Sequence, residues 1–131
     1  MSDSIFTKII KGDIPSYKIL ENEDFISFLD INPIKEGHTL VVPKLQVDYI
    51  YDLPNDVFSG LFNFSKIVAQ KIKGAIECDR IGISVVGLEV PHAHIHLIPI
   101  NEISDMSFES PRIHPSKIEM NNILKKIKSS K

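Results

Sequence analysis

The sequence predicts an α+β fold with a mostly antiparallel sheet. Two features predict it: several short runs rich in β-branched and apolar residues, and one long segment with apolar residues every three or four positions. The links between the first three runs are too short for the crossovers that parallel strands require. The predicted strands, about five in number, are 17–21, 25–30, 38–43, 81–86 and 94–98.

Three helices are predicted around this sheet. The chain opens with a short amphipathic helix that carries Ile5, Phe6, Ile9 and Ile10 and stops at Gly12. The long helical pattern covers 55–75, between the third and fourth strands. A lysine-rich helix ends the chain, within an extension at about 112–131 whose polar face is expected to meet solvent or, as an alternative, a partner.

Length and composition exclude several classes of protein. The 131 residues, 43% hydrophobic and 24% charged, predict one globular domain over 1–131. The net charge of −2 offers no cationic surface for nucleic acid or an anionic membrane. The single cysteine, Cys78, leaves no partner for an intramolecular disulfide, and the sequence shows neither a signal peptide pattern nor an apolar run of transmembrane length. We therefore expect a cytoplasmic protein.

Three of the five histidines, His92, His94 and His96, alternate with apolar residues near the last predicted strand. On a strand they would share one face, roughly 6.5–7 Å apart, while Ala93, Ile95 and Leu97 would enter the core. Each buried imidazole needs hydrogen-bond partners for two nitrogens, so packing alone is a poor explanation for three in register. The pattern indicates a functional site.

Converging histidines have two main uses, metal ligation and catalysis. A zinc site could use two of these histidines and a third from elsewhere, for example His38, and would activate a water molecule. Alternatively, a neutral imidazole could act as the nucleophile or as an acid or base. The residues alone leave both readings open.

Four segments in order give a more specific indication. The run from Pro91 to Pro99 resembles the histidine triad motif of the HIT family, and the chain resembles the nucleotide-binding branch of that family from end to end. The other three segments are Ser4-Ile5-Phe6-Thr7-Lys8-Ile9-Ile10 with Gly12-Asp13-Ile14-Pro15, Phe28-Leu29-Asp30-Ile31-Asn32-Pro33, and Gly37-His38-Thr39-Leu40-Val41-Val42-Pro43-Lys44.

The resemblance implies a HIT-like fold and a homodimeric enzyme that cleaves purine nucleoside monophosphate conjugates, such as phosphoramidates, at the α-phosphorus without a metal or other cofactor. It implies that His94 is the nucleophile, with one ring nitrogen donating to a main-chain carbonyl. His96 would contact the phosphate and leaving group. His92 and His38 would form a supporting hydrogen-bonded pair, although His38 is also an ordinary histidine for a strand start.

The resemblance also implies a nucleotide pocket. The purine would lie against apolar side chains, which equally suit a plain core, and Asp30 would bind the ribose hydroxyls. The bland alternative for Asp30 is to cap the turn at Asn32-Pro33. The apolar residues of this pocket are Ile5, Phe6, Ile9, Phe28, Leu29 and Ile31.

The loop before the triad departs from the family pattern. It is shorter, has no asparagine, and carries Leu88 and Glu89 where glutamine and serine are common in the family. Glu89 is a candidate general acid for the leaving group, or else a loop-shaping carboxylate that accepts main-chain N–H bonds. The short loop also leaves a second function open, a nucleotide-binding or scaffolding module with vestigial activity.

Overall fold

A computed structural model describes residues 2–130, which contain one antiparallel five-stranded sheet. The strands run in the order β1-β2-β3-β5-β4 across it. Each link from β1 to β3 is short, which agrees with antiparallel pairing. The strand bounds are β1 Lys18–Glu21, β2 Phe25–Leu29, β3 Thr39–Pro43, β4 Arg80–Ser84 and β5 Ile95–Ile100.

The three predicted helices are present: α1 Ile5–Ile10, α2 Asn55–Ala75 and α3 Lys117–Ser129. The Ser4 hydroxyl caps α1 by accepting from the Thr7 N–H, and Ser116 caps α3 in the same way. Short 3₁₀ turns lie at Ile50–Asp52 and Ile103–Met106. The predicted α+β class and number of strands are confirmed. No helix within residues 2–130 has the length and apolar character to cross a membrane.

Every residue of β2 and β3 is buried, because helices cover both faces of these central strands. Helices α2 and α3 cover one face, where Val41, Ile95 and Leu97 join the main core. Helix α1 covers the other face through Phe6, which packs with alternate residues of β2 and β3. The basic helix α3 buries Met120, Ile123 and Ile127 in the main core while its lysines remain outside.

Strand β5 begins at Ile95, so the prediction that the three histidines share one strand is wrong for His92 and His94. The Ala93 N–H donates to the Val47 carbonyl, outside the sheet, at 2.7 Å. This bond turns the chain away from the β3 ladder before Ile95. The expected burial of Ala93, Ile95 and Leu97 is confirmed.

Candidate active site

A cavity of about 400 Å³ opens on the α1 face of the sheet, between α1, the end of β2 and the loop before β5. His94 and His96 line it, and so does Glu89. Every residue predicted for the nucleotide pocket also lines it, namely Ile5, Phe6, Ile9, Phe28, Leu29, Asp30 and Ile31. His38 and His92 are fully buried behind this lining.

The proton position on His94 follows from a main-chain contact. Its Nδ1 lies 2.7 Å from the carbonyl oxygen of His92, which can only accept, so Nδ1 carries the hydrogen. In the neutral ring, Nε2 then holds the lone pair. Within residues 2–130, Nε2 of His94 has no hydrogen-bond partner. Every fully buried side-chain nitrogen or oxygen atom of the described residues has one, so Nε2 is not fully buried. The lone pair is therefore accessible, on a ring that lines the cavity.

His38 and His96 form a directed pair across neighbouring strands. The Ile34 N–H donates to Nδ1 of His38 at 3.0 Å, which places the His38 proton on Nε2. That atom lies 3.0 Å from Nδ1 of His96 and donates to it. The proton of neutral His96 is consequently on Nε2. The site thus presents a lone pair from His94 and an N–H from His96.

The predicted pairing of His92 with His38 is wrong, because His38 uses Nε2 on His96 and His92 has other partners. Nε2 of His92 donates to the Pro43 carbonyl at 2.8 Å, and its Nδ1 lies 2.6 Å from the Ser4 hydroxyl. Since β5 begins after His92, the ring of His92 lies beneath α1.

Burial keeps these rings neutral. Desolvation lowers the pKa of His38 and of His96 to about 3, and the neighbouring Arg112 adds to the effect in both. Desolvation also lowers the pKa of His94, although its bond to the His92 carbonyl and the charge of Glu89 act in the opposite direction. A neutral imidazole is the form that can attack an electrophile or accept a proton.

Asp30 shapes the turn after β2 and also reaches the wall of the cavity. Its Oδ1 accepts from the Asn32 N–H at 2.8 Å and so shapes the turn after β2. Its Oδ2 lies 3.6 Å from Nε2 of His38 and 4.0 Å from the Arg112 guanidinium, at the wall of the cavity. Burial raises the pKa of this carboxyl, against the opposing effects of the Asn32 bond and Arg112.

Glu89 is exposed on the loop that overhangs the two cavity histidines. Its charge favours the protonated form of His94, which indicates proximity to that ring. Within residues 2–130 its carboxylate accepts no main-chain N–H bond. No contact therefore supports the alternative that Glu89 shapes the loop. The neighbouring Leu88 is 88% exposed at the cavity mouth.

Sequence reasoning missed Phe108 and Arg112, which reach the cavity from the segment between β5 and α3. Phe108 packs edge-on against His96, with ring centroids 4.7 Å apart. Arg112 lies over the Phe108 ring and donates to the Asn32 carbonyl at 2.8 Å. Among the described lining residues Arg112 is the only lysine or arginine. The sequence signal that could have indicated this part of the cavity was Arg112, an isolated arginine next to Pro111.

Comparison with known proteins agrees with this architecture. The family model of the HIT domain matches residues 11–103, which include the three histidines and His38. The chain belongs to the HIT family. Phe108 and Arg112 therefore lie beyond the matched HIT domain.

Two curated relatives have named activities. The adenosine 5′-monophosphoramidase HNT1 of Saccharomyces cerevisiae is 36% identical over 100 residues, which cover 72% of this chain and 61% of the yeast protein. The adenylylsulfatase HINT3 of Arabidopsis thaliana is 31% identical over 124 residues, which cover 90% of this chain and 63% of the plant protein.

Solved structures of the HIT family are also similar. A HIT-like protein from Bartonella henselae superposes with a TM-score of 0.85 at 29% identity and covers 97% of this chain and 95% of its own. A zinc-bound histidine triad family protein from Mycobacterium smegmatis has a TM-score of 0.80 at 28% identity, with coverage of 95% and 92%. The HIT-like fold is therefore shown.

Within residues 2–130, Asp30, His38 and His96 form a group that by spacing alone could hold a metal ion, since their ligand atoms lie within 4.8 Å of one another. Ligation through Nε2 of His38 would move its proton to Nδ1, where it would meet the Ile34 N–H head-on. The Arg112 charge beside Asp30 opposes a cation as well. This arrangement does not fit a metal.

Acidification should destabilise the protein as the unfolded chain takes up protons on its histidines. His38 and His96 have a pKa of about 3 in the folded state, whereas an ordinary histidine has a pKa of 6.5. Their contribution is complete above pH 6.5 and decreases as the pH falls toward 3, by about 2–3 kcal/mol per ring at pH 4.5. We expect urea unfolding at pH 7.5, 6.0 and 4.5 to show this loss.

The control compares slopes rather than absolute stabilities. The variant His38→Asn should lose less free energy of unfolding between pH 7.5 and 4.5 than the wild type. Parallel pH profiles for wild type and His38→Asn would contradict the assignment.

Proposed function

We propose that this protein hydrolyses purine nucleoside 5′-monophosphate conjugates, phosphoramidates above all, at the α-phosphorus through a covalent intermediate on His94. The observation that carries the proposal is the bond from Nδ1–H of His94 to the His92 carbonyl. It fixes the Nε2 lone pair toward a cavity that also contains an N–H donor on His96. A nucleophile and a hydrogen-bond donor thus lie on one wall of the cavity.

The cavity has an apolar part and a polar part, as a nucleoside phosphate does. Phe6 packs edge-on against Phe28 and His94, at centroid distances of 5.6 and 4.9 Å, and so links the two parts. A purine would pack on the α1 side, between Ile5, Ile9 and Phe28. The ribose would then lie by Oδ2 of Asp30 and the α-phosphate by His94 and His96.

The proposed reaction has two displacements at phosphorus. Nε2 of His94 donates its lone pair to form the P–N bond, and the bond from phosphorus to the leaving amine breaks. The amine takes a proton from an acid, for which Glu89 is the candidate. A water molecule then attacks phosphorus, breaks the P–Nε2 bond, returns a proton to Glu89 and releases the nucleoside monophosphate.

His96 and the His92 carbonyl stabilise charge during these steps. Attack makes the His94 ring cationic, and the carbonyl bonded to Nδ1–H favours that charge. The Nε2–H of His96 donates to a phosphate oxygen on which negative charge develops. His38, which has its proton directed at His96, acts by holding that donor in place.

The two named relatives support the substrate class. An adenosine 5′-monophosphoramidase and an adenylylsulfatase both carry names of adenosine 5′-phosphoryl compounds, one with an amide and one with a sulfate. The common element is an adenosine 5′-phosphoryl group with a variable leaving group. A purine nucleotide is therefore the partner we propose for the cavity.

We further propose a homodimer formed through the β4 edge and the neighbouring face of α2. Strand β4 ends the sheet, so one side of its backbone is open to pairing. Exposed apolar side chains surround this edge, among them Ile83, Val85, Phe62 and Tyr51. Antiparallel pairing of two β4 edges is self-complementary, as a twofold dimer requires.

Replacing His94 with Ala should abolish turnover and leave nucleotide affinity within about threefold, because the nucleophile acts in bond making. Adenosine phosphoramidate carrying ³²P, quenched during turnover, should label the wild-type protein but not this variant. The exposed His114→Ala variant is the matched control and should label normally. Retention of a tenth of wild-type turnover by His94→Ala would overturn the mechanism, and binding without labelling of the wild type would favour a vestigial module.

The ribose role of Asp30 is tested with Asp30→Asn, which keeps the Oδ1 acceptor for the Asn32 turn. A charged acceptor contributes about 1.5–3 kcal/mol to a hydrogen bond against 0.5–1.5 for a neutral one, so AMP should bind roughly tenfold more weakly. Calorimetry with 2′,3′-dideoxy-AMP should show less than a twofold change. Equal losses for the two ligands would remove Asp30 from ribose binding.

Glu89→Gln should slow hydrolysis of an alkylamine phosphoramidate at least tenfold, because an amine must be protonated to leave. A nitrophenyl ester of the same nucleotide has a good leaving group and should be nearly unaffected. Glu109→Gln, an exposed acid outside the cavity, is the matched control. Similar slowing of both substrates by Glu89→Gln would exclude its role as an acid.

Sedimentation at micromolar concentration should give twice the chain mass of 14.8 kDa. Ile83→Lys should shift the protein toward monomer, since it places charge at the open edge of β4. The variant Ile118→Lys alters a still more exposed apolar residue on α3 and should leave the mass unchanged. A monomeric wild type would contradict the dimer.

A further inference from the structure

A closed polar network lies beneath α1, on the side of His92 away from the cavity. Nδ1 of His92 contacts the Ser4 hydroxyl at 2.6 Å, and the Ser4 N–H donates to Oε1 of Gln46 at 2.8 Å. The Thr7 hydroxyl donates to the same Oε1 at 2.6 Å. Ser4 and His92 are buried, although both carry polar atoms that are costly to desolvate.

The direction of each bond in this network follows from fixed donors and acceptors. The Pro43 carbonyl requires the His92 proton on Nε2, so Nδ1 accepts the hydrogen of the Ser4 hydroxyl. The Ser4 oxygen in turn accepts the Thr7 N–H at 3.0 Å. Ser4 therefore uses its single hydrogen on His92 and its oxygen on the helix.

Gln46 connects α1 to the chain that leaves β3. Its Oε1 accepts twice from the start of α1, and its amide nitrogen donates to the Ser2 carbonyl at 3.0 Å. Gln46 follows Pro43, the residue that holds the other nitrogen of His92, by three positions. Both ring nitrogens of His92 are thus tied to the same segment, one directly and one through Ser4.

His92 transmits this constraint to the reacting histidine. Its carbonyl oxygen accepts from Nδ1–H of His94, so a change in the His92 backbone turns the His94 ring. Phe6, on the helix that Ser4 caps, packs against both rings at centroid distances of 5.8 and 4.9 Å. No apolar contact performs the same function, because only a hydrogen bond at each nitrogen fixes both tautomer and ring angle.

We propose that Ser4 and Gln46 are positioning residues that fix the angle of the His92 ring, whose Nε2–H tautomer the Pro43 carbonyl sets, and thereby aim the Nε2 lone pair of His94. The proposal rests on the proposed function, since it assigns a catalytic consequence to the network. It also makes a statement about proton positions in His92 that is independent of any substrate.

The competing role for Ser4 is simple helix capping, and Ser4→Asp separates the two. Aspartate is as good an N-cap as serine, so α1 is retained. Its carboxylate cannot donate to Nδ1 of His92. With the Pro43 carbonyl on the other nitrogen, the ring would then hold protons on both and become cationic. Threonine at position 4 keeps both the cap and the donor.

Nitrogen-15 spectra of the histidine rings at pH 7 provide the first readout. The wild type and Ser4→Thr should show one protonated nitrogen on His92, at Nε2, and one on His94, at Nδ1. Ser4→Asp should show two protonated nitrogens on His92. Gln46→Leu, which removes both acceptor bonds, should keep the His92 proton on Nε2 but broaden the His92 and His94 signals by exchange, because the ring angle is no longer fixed, whereas Gln46→Glu should restore the wild-type pattern.

Kinetics with an adenosine phosphoramidate provide the second readout. Ser4→Asp and Gln46→Leu should lower kcat at least tenfold with KM within threefold, and Ser4→Thr and Gln46→Glu should recover kcat. Ser116→Ala removes the comparable cap of α3 and should change stability without changing kcat. Circular dichroism establishes that each variant is folded.

The outcomes separate this inference from the proposed function. A neutral His92 in folded Ser4→Asp, or His92 with its proton on Nδ1 in the wild type, overturns the network assignment. Altered tautomers with an unchanged kcat overturn the positioning role. An inactive wild type with the expected tautomers leaves the network assignment supported and overturns the proposed function together with the catalytic consequence assigned here.

Discussion

Three main-chain groups determine where the protons lie on four histidines. The Ile34 N–H can only donate, while the carbonyls of Pro43 and His92 can only accept, so each permits one tautomer of the ring it contacts. His38 then passes its constraint to His96 through a shared bond. An exposed histidine would interconvert between tautomers, whereas these rings present one lone pair and one N–H to the cavity.

The fold supplies this constraint through the register of β3 and β5. Leu40 lies opposite His96, so His38, two residues earlier and just before β3 begins, is a diagonal neighbour of His96 on the same face. Burial between α1 and the sheet then removes water that would compete for the ring nitrogens. The same desolvation disfavours charged imidazole, so the geometry that fixes the tautomers also keeps the rings neutral.

Local patterns predicted the elements, because alternation and helical spacing report which face of an element is buried. The residues expected in the pocket came from the resemblance to the HIT family. The predicted main helix matches α2, and the segments around Phe6, Phe28 and Asp30 line one cavity as expected. The partner of His38 could not be predicted in this way. It depends on where β5 begins, and the long-range hydrogen bond from the Ala93 N–H to the Val47 carbonyl determines that point.

Phe108 and Arg112 escaped prediction for a related reason. They lie in an irregular segment whose path is set by a bond from the Ile113 N–H to the Pro33 carbonyl, a contact between residues far apart in sequence. Because of this path, the site has a part held by buried contacts and a part formed by irregular segments. Buried strand and main-chain contacts hold the histidines, while Leu88, Glu89, Phe108 and Arg112 line the cavity from irregular segments. Loops tolerate substitution better than a buried ladder does, so under the proposed function the leaving group could vary while the sheet keeps the histidine geometry.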